Sequence, residues 1–176
     1  MVGCSRFVEG RGVVIVSRFA EADVSIAYNI FKKDRISPWS FTTFENTALN
    51  GISLVAKQEC DIIGYVLLTS VLDEFTIEDI TVSNDYRGQG LGRRIMEAGF
   101  ELANKMQQKT VYLEVRCSNQ TAIKLYRSMG FELVGERKNY YETTNNVFSA
   151  DNGSLASPYS KISAPRENAY VMKKVL

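Results

Sequence analysis

The chain contains no histidine. That absence removes the commonest general base and zinc ligand, and with them the Ser-His-Asp and Cys-His arrangements of nucleophilic catalysis. Acid–base chemistry must then fall to Glu, Asp, Tyr, Lys or Cys. Cysteine is sparse: Cys4, Cys60 and Cys117 are odd in number, far apart and without CxxC spacing, so neither a disulfide framework nor a metal site is indicated. Charge of one sign is also lacking, with 21 basic against 20 acidic residues. This leaves no electrostatic footprint for non-specific nucleic-acid binding and no polybasic patch for a membrane. A small molecule or a protein is the expected partner. The longest apolar runs, around Val13 to Val16 and Ile62 to Leu68, fall well short of the roughly 20 residues that span a bilayer. Neither resembles a signal-peptide core, and a cytoplasmic location is expected.

What remains is an ordinary globular composition, 45% hydrophobic and 23% charged over 176 residues, enough for a single domain of residues 1–176. Val13 to Val16 is β-branched. Glu21 to Asp34 then places Val24, Tyr28 and Phe31 on one helical face behind acids in its first turn. Ser40 can cap a second helix carrying Phe41, Phe44 and Ala48. Ile52 to Lys57 and Ile62 to Val71 read as an antiparallel hairpin, and Phe75 to Val82 as another strand. Leu91, Ile95, Ala98, Leu102 and Met106 recur at three- and four-residue spacing, the mark of an amphipathic helix from Leu91 to Gln107. A strand from Thr110 to Val115, a helix from Asn119 to Met129 stopped by Gly130, and a strand from Phe131 to Arg137 follow. From Thr143 to Asn168 the composition shifts to five serines, four asparagines and two of the three prolines. This reads as a long polar loop insertion before a last strand, Ala169 to Val175. The order implies an α/β fold, a mixed β-sheet with helices on both faces.

The strongest local signal is Asp85-Tyr86-Arg87-Gly88-Gln89-Gly90-Leu91-Gly92-Arg93-Arg94, set between a strand and an amphipathic helix. Glycines let a backbone approach an anion closely, the helix start offers free N–H groups and partial positive charge, and the arginines add full charges. The spacing fits neither the dinucleotide fingerprint nor the P-loop. A phosphate or pyrophosphate cradle is expected here.

Those residues carry a resemblance. Arg87-x-x-Gly90-x-Gly92 after a strand ending Ile80-Thr81-Val82 resembles motif A of the GNAT acyl-CoA N-acyltransferases. Leu113 to Asn119, Ala122 to Tyr126 and Gly130-Phe131 resemble that superfamily's motif B. Ser37-Pro38-Trp39-Ser40, Val71 to Glu74, Leu113 to Arg116 and Asn139-Tyr140-Tyr141 together resemble the bacterial ribosomal-protein-alanine N-acetyltransferases (RimI type). The similarity spans about Ile36 to Tyr141 and the final strand. It implies the GNAT fold, with a splayed mixed sheet, and acetyl-CoA as co-substrate without a metal. The expected acceptor is the N-terminal alanine of a small-subunit ribosomal protein. The resemblance places the CoA pyrophosphate on Arg87, Gly88, Gln89, Gly90, Leu91, Gly92 and Arg93, and pantetheine along Ile80, Thr81 and Val82, with a hydrogen bond from Asn119.

Acyl transfer to an amine needs a neutral nucleophile, stabilisation of the carbonyl oxygen and a proton for the departing thiolate. Without histidine, a carboxylate and a phenol are the obvious pair. Glu114 near the end of its strand and Tyr126 one helix later could meet where a sheet splays open. The resemblance makes Glu114 the base and Tyr126 the acid at the CoA sulfur. Other readings of the same residues stand beside this one. Glu114 can pair with Arg116 or another arginine, and Tyr126 can be core. Glu78, which strand alternation places on one face with Glu74, is a rival base. Trp39 is as suited to packing as to touching substrate, and Asp73 with Glu74 forms an acidic step that could attract a basic peptide. Two further functions are compatible with the cradle: a small-molecule amine acetyltransferase, and a non-catalytic CoA-binding interaction module.

Overall fold

A strand that the hydrophobic pattern does not announce opens the chain. In the computed structural model, which describes residues 5–9, 12–33, 35–143 and 165–176, β1 (Ser5–Glu9) pairs antiparallel with β2 (Gly12–Arg18). Two helices follow, α1 (Glu21–Lys33) and α2 (Phe41–Ala48). The first has acids in its opening turn and lysines in its last, matching the helix dipole at both ends. The second is capped as expected, with Ser40 Oγ accepting from the Thr43 N–H. Then come β3 (Leu54–Gln58), β4 (Asp61–Val71), β5 (Glu74–Val82), a 3-10 turn (Asn84–Tyr86) and α3 (Leu91–Lys105). The chain continues through β6 (Thr110–Arg116), α4 (Gln120–Ser128), β7 (Glu132–Glu142) and β8 (Arg166–Val175).

These strands form one eight-stranded sheet in the order β1-β2-β3-β4-β5-β6-β8-β7. Every neighbouring pair is antiparallel except β5 and β6. That pair is joined by the α3 crossover, which a parallel connection requires. One face is covered by α3 and α4, with Val66, Phe75, Leu91, Ile95, Leu113 and Ile123 buried together. The other is covered by α1 and α2, where Val24, Phe31, Phe44, Val55 and Tyr65 form a second core. The expected mixed α/β sheet with helices on both faces is what the chain adopts. Among the described residues no helix is long and apolar enough to cross a membrane.

The sheet is split. β5 and β6 pair only from Glu74 with Thr110 to Ile77 with Leu113. Beyond that point β5 stays with β4 as far as Val82, and β6 stays with β8 as far as Arg116. The edges of Glu78–Val82 and of Glu114–Arg116 therefore face each other across a gap through the sheet. This is the splay that the GNAT resemblance implied.

Two irregularities shape the gap. In β5, Ile77 pairs with Leu68 and Asp79 with Leu67, so Glu78 is an extra residue in a bulge. The alternation that carried Phe75 and Ile77 to the α3 face is thereby reset, and Asp79 and Thr81 turn instead toward the α1 side. In β7, Arg137 pairs with Ala169 and Tyr141 with Glu167, leaving Lys138, Asn139 and Tyr140 against the single residue Asn168. Asn139 takes the left-handed conformation at φ 52°, which asparagine tolerates better than most residues. Its N–H donates to Asn168 Oδ1 at 2.9 Å. This bulge hides the periodicity after Arg137, so the strand runs to Glu142 rather than stopping where the pattern fades. The final strand likewise begins at Arg166, three residues before the expected Ala169, and the Thr143 N–H closes its base on the Pro165 carbonyl at 2.8 Å. Of the expected polar loop at 143–168, residues 144–164 lie outside the described residues.

Candidate active site

Different chemistry stands on the two faces of the sheet beside this gap. On the α3 side, the start of that helix is uncapped by any side chain. Its N-cap is Gly90 at φ 81°, with no side chain capping the first turn, so the opening N–H groups keep their unfilled donor capacity. A Cβ on Gly88 (φ 76°) or on Gly90 would meet nothing within 4 Å. Both glycines thus border open space in a backbone region that favours glycine. Gly92 differs: a Cβ there would be in ordinary contact with Leu125 and Val82.

The neighbouring side chains are less uniformly aimed at a ligand than the sequence suggested. Leu91 is buried in the core, so its main chain is what it can offer. Arg93 donates from Nη2 to Ser128 Oγ at 2.6 Å. Arg87 folds back, donating from Nε to the Val82 carbonyl at 3.0 Å. Gln89 bonds to the Asp85 carbonyl at 3.3 Å. The donor set and the open glycine surface fit a diphosphate, with the main chain as its principal partner. From this side the edge of Ile80, Thr81 and Val82 leads inward. Ile80 and Val82 pack toward the α3 core. Thr81 is buried, its hydroxyl 3.1 Å from Asp79 Oδ2 and from Arg35 Nη2. Asn119 caps α4, accepting from the Ala122 N–H at 3.1 Å, which leaves its carboxamide nitrogen as the group available to a ligand carbonyl.

On the other side of the sheet stands Glu114, the first residue of β6 beyond its pairing with β5. Its carboxylate is 2.8 Å from Arg137 Nε, in a pair whose side chains are 23% and 57% exposed. The Tyr140 hydroxyl lies near enough to feel its charge. The alternative that Glu114 pairs with an arginine is therefore met, by Arg137 and not Arg116. Burial, then the neighbouring Glu114 carboxylate, raises the Tyr140 hydroxyl above the ordinary phenol value. Tyr141, at 4.9 Å from Tyr140 between ring centroids, is pushed up to about 12 by burial and then by the charge of Glu114.

Tyr126 reaches the gap from α4. Its ring is core, 5.9 Å from Phe131. Burial pushes its hydroxyl well above the usual phenol value, and the Asp79 carboxylate and Tyr141 across the gap push it further. It keeps its proton at any working pH. Core packing holds for this residue, and Asp79 and Tyr141 lie close enough to act on its hydroxyl.

Other expectations change. Glu78 shares its face with Thr69, whose hydroxyl donates to it at 2.6 Å, but it is the bulge residue, so regular alternation no longer describes its neighbour Asp79. Trp39 is a packing anchor: its ring is 5.5 Å from that of Phe31 and its carbonyl accepts from Tyr28 at 2.9 Å. Asp73 sits in the β4–β5 turn, six residues along the chain from Asp79, with Lys109 Nζ at 2.7 Å. An acceptor's basic tail beside Asp73 and Glu74 would lie at the wrong end of β5.

Sequence reading missed the cluster around Asp79. Its carboxylate bonds to Arg35 Nη2 through Oδ1 and accepts from Tyr65 at 2.8 Å through Oδ2. The Arg35 guanidinium lies 4.1 Å from the Phe31 ring centroid. Also missed was the junction of the short motifs. Ser37 donates to the Glu142 carboxylate, Arg116 Nη1 donates to the Glu142 carbonyl at 2.8 Å, and the Arg116 guanidinium lies 4.4 Å from the Tyr141 ring centroid. Each motif is unremarkable alone; their meeting depends on the fold. Among the described residues no group of Cys, Asp and Glu is arranged to hold a metal ion.

The split mixed sheet with a glycine-rich helix start beside it is the fold of the acyl-CoA N-acyltransferases. The chain belongs to the acetyltransferase (GNAT) family, whose model matches residues 24–131, and it is an N-acetyltransferase; the family uses acetyl-CoA. It is 37% identical over 131 residues to the ribosomal protein bS18-alanine N-acetyltransferase of Escherichia coli K12, covering 74% of this chain and 88% of that protein. The Haemophilus influenzae protein of the same name is 34% identical over 160 residues, covering 90% and 96%. The crystal structure of the ribosomal-protein-S18-alanine N-acetyltransferase from Escherichia coli matches with a TM-score of 0.76 at 32% identity, over 92% of this chain and 93% of that one.

Proposed function

We propose that the protein is a cytoplasmic, single-domain enzyme that transfers the acetyl group of acetyl-CoA to the N-terminal alanine of ribosomal protein bS18. The reading is supported by the gap itself, bordered by Glu114 at the end of the β5–β6 pairing, with Tyr126 close enough to feel the Asp79 carboxylate and Tyr141. Similarity to bS18-alanine N-acetyltransferases along 96% of a relative supports the choice of acceptor. Acetyl-CoA supplies the activated acyl group. The open first turn of α3, with Gly88 and Gly90, holds its diphosphate, and the free edge from Ile80 to Val82 orients its pantetheine arm, with the Asn119 carboxamide as a further contact.

Glu114 receives the proton of the incoming α-ammonium, directly or through water. Its partner Arg137 is largely exposed and so weakly held; an arriving ammonium can displace it. The Tyr126 hydroxyl, kept protonated by its burial, donates to the departing sulfur. No metal takes part in this scheme. Incubation with acetyl-CoA and a peptide carrying the bS18 N-terminus, followed by fragmentation mass spectrometry, should place one acetyl group on the first residue. A free N-terminus after complete conversion of a simple amine would assign the enzyme to small-molecule substrates.

A further inference from the structure

We propose that Arg35 is a positioning residue: together with Ser37 it ties β5, through Glu142 of β7 and the Arg116 side chain, to β6 across the gap, on the side from which the acceptor enters. The inference rests on the acceptor reading above only for its kinetic consequence. Arg35 ends its reach on β5, at Asp79 and Thr81. Two residues later, Ser37 bonds to Glu142, whose carbonyl is held by Arg116 of β6 and whose carboxylate is also held by Arg166 of β8 at 3.2 Å. Two residues of extended chain span only about 7 Å. The segment is therefore a short bridge from β5 to the end of β7, which the Arg116 side chain joins to β6 on the far side of the gap.

The anchor on β5 is well made. The Asp79 and Arg35 side chains are 14% and 28% exposed, and Tyr65 and Thr81 supply further hydrogen bonds to the same carboxylate. Arg35 is fixed from its other side by the Phe31 carbonyl, at 2.5 Å from Nη1, and by the Phe31 ring. The bulge at Glu78 is what turns Asp79 to this face, so a backbone irregularity and a paired charge serve one contact. All of these groups lie on the α1 side with Glu114, away from the cradle on the α3 side. Loosening the bridge should widen or blur the acceptor's entry while leaving cofactor binding alone.

The test uses Arg35→Gln, which keeps length but not charge, and Ser37→Ala, which releases the other anchor. Two readouts are taken on each. The first is amide hydrogen exchange: faster exchange confined to residues 78–82 and 114–116 is expected, with the rest of the sheet unchanged. The second is kinetic: KM for the alanine-initiated peptide should rise about tenfold, with KM for acetyl-CoA within about twofold of wild type. Exchange that is unaltered in the gap, or accelerated throughout the protein, would overturn the proposal, as would a rise in KM for acetyl-CoA in place of the peptide. If wild-type protein leaves the peptide unmodified, the acceptor reading fails, and the exchange pattern still decides the bridge.

Discussion

Gly90→Val separates the cradle from the fold. At φ 81° a side chain is strained whatever the space, by about 1–2 kcal/mol for an ordinary residue and more for a branched one. A Cβ there would meet nothing within 4 Å, so the added Cβ itself brings no clash in the ligand-free protein. The valine methyl groups would instead occupy the approach to the uncapped N–H groups of α3, where the diphosphate is held in our account. Loss of even one main-chain contact to that charge should weaken CoA binding more than tenfold, about 1.4 kcal/mol. Gly51→Val is a matched control. Gly51 has φ 85° and also faces open space, but it lies next to Asn50, which bonds the Leu68 carbonyl at the far end of β4 from the cradle. Both variants should lose similar thermal stability, a few degrees in a chain of this size. Only Gly90→Val should lose affinity for CoA in titration calorimetry. Equal affinity in the two folded variants would refute the cradle.

Glu114→Gln should lower turnover by roughly 10² to 10⁴ at neutral pH, yet change thermal stability by no more than about 1 kcal/mol, because the ion pair it breaks is with a largely exposed arginine; a variant turning over at the wild-type rate would move the base elsewhere. Tyr126→Phe retains the buried ring, so steady-state kinetics should show reduced kcat while calorimetry shows CoA affinity unchanged. Acid should loosen the end of the sheet beside the gap. Hydrogen bonds from Ser37 and Arg166 hold Glu142 below the usual carboxylate range. For Glu167, burial works in the opposite direction but hydrogen bonds from Arg116 and Ser118 prevail, so it too is lowered. A carboxyl depressed in the folded state contributes stability above its unfolded value, about 4.3 for Glu, and loses it as pH falls through the folded one. Unfolding temperature should therefore decline below that pH, less steeply in Glu167→Gln; identical slopes would deny the residue this part.

Much of the fold was legible because the periodicities are clean. The spacing of Leu91, Ile95, Ala98 and Leu102 announces α3, and Ser40 and Asn119 cap the helices that their side chains suggest. The glycine-rich loop and the helix start after it could be read because they are contiguous, and α3 does begin at Leu91 behind Gly90. The Asp79 cluster could not, since it joins residues up to 46 positions apart and depends on a bulge that resets strand alternation at Glu78. Ser37 and Glu142 are 105 positions apart, and nothing local to either suggests the other. β7 was underestimated for a related reason: the left-handed turn at Asn139 breaks the period-two pattern that would have carried the reading to Glu142. Where the backbone is regular, the amino acids reveal it; the gap is built from irregularities and long-range polar contacts.

The central claim is that this gap acetylates a peptide α-amine. A neutral amine is the nucleophile, and a terminal α-amine, with a reference pKa of about 7.7–8.0, is uncharged at pH 7 at a cost roughly 3.5 kcal/mol smaller than lysine at about 10.4. A lone carboxylate base without histidine suits that easier task. The direct measurement is a competition for limiting acetyl-CoA between two otherwise matched peptides, one with a free N-terminal alanine and no lysine, the other blocked at its N-terminus with an internal lysine, with free polyamine added in a parallel reaction. Our account predicts acetylation of the free alanine well ahead of the lysine peptide and the polyamine. Faster modification of the blocked lysine peptide, or of the polyamine, would contradict it.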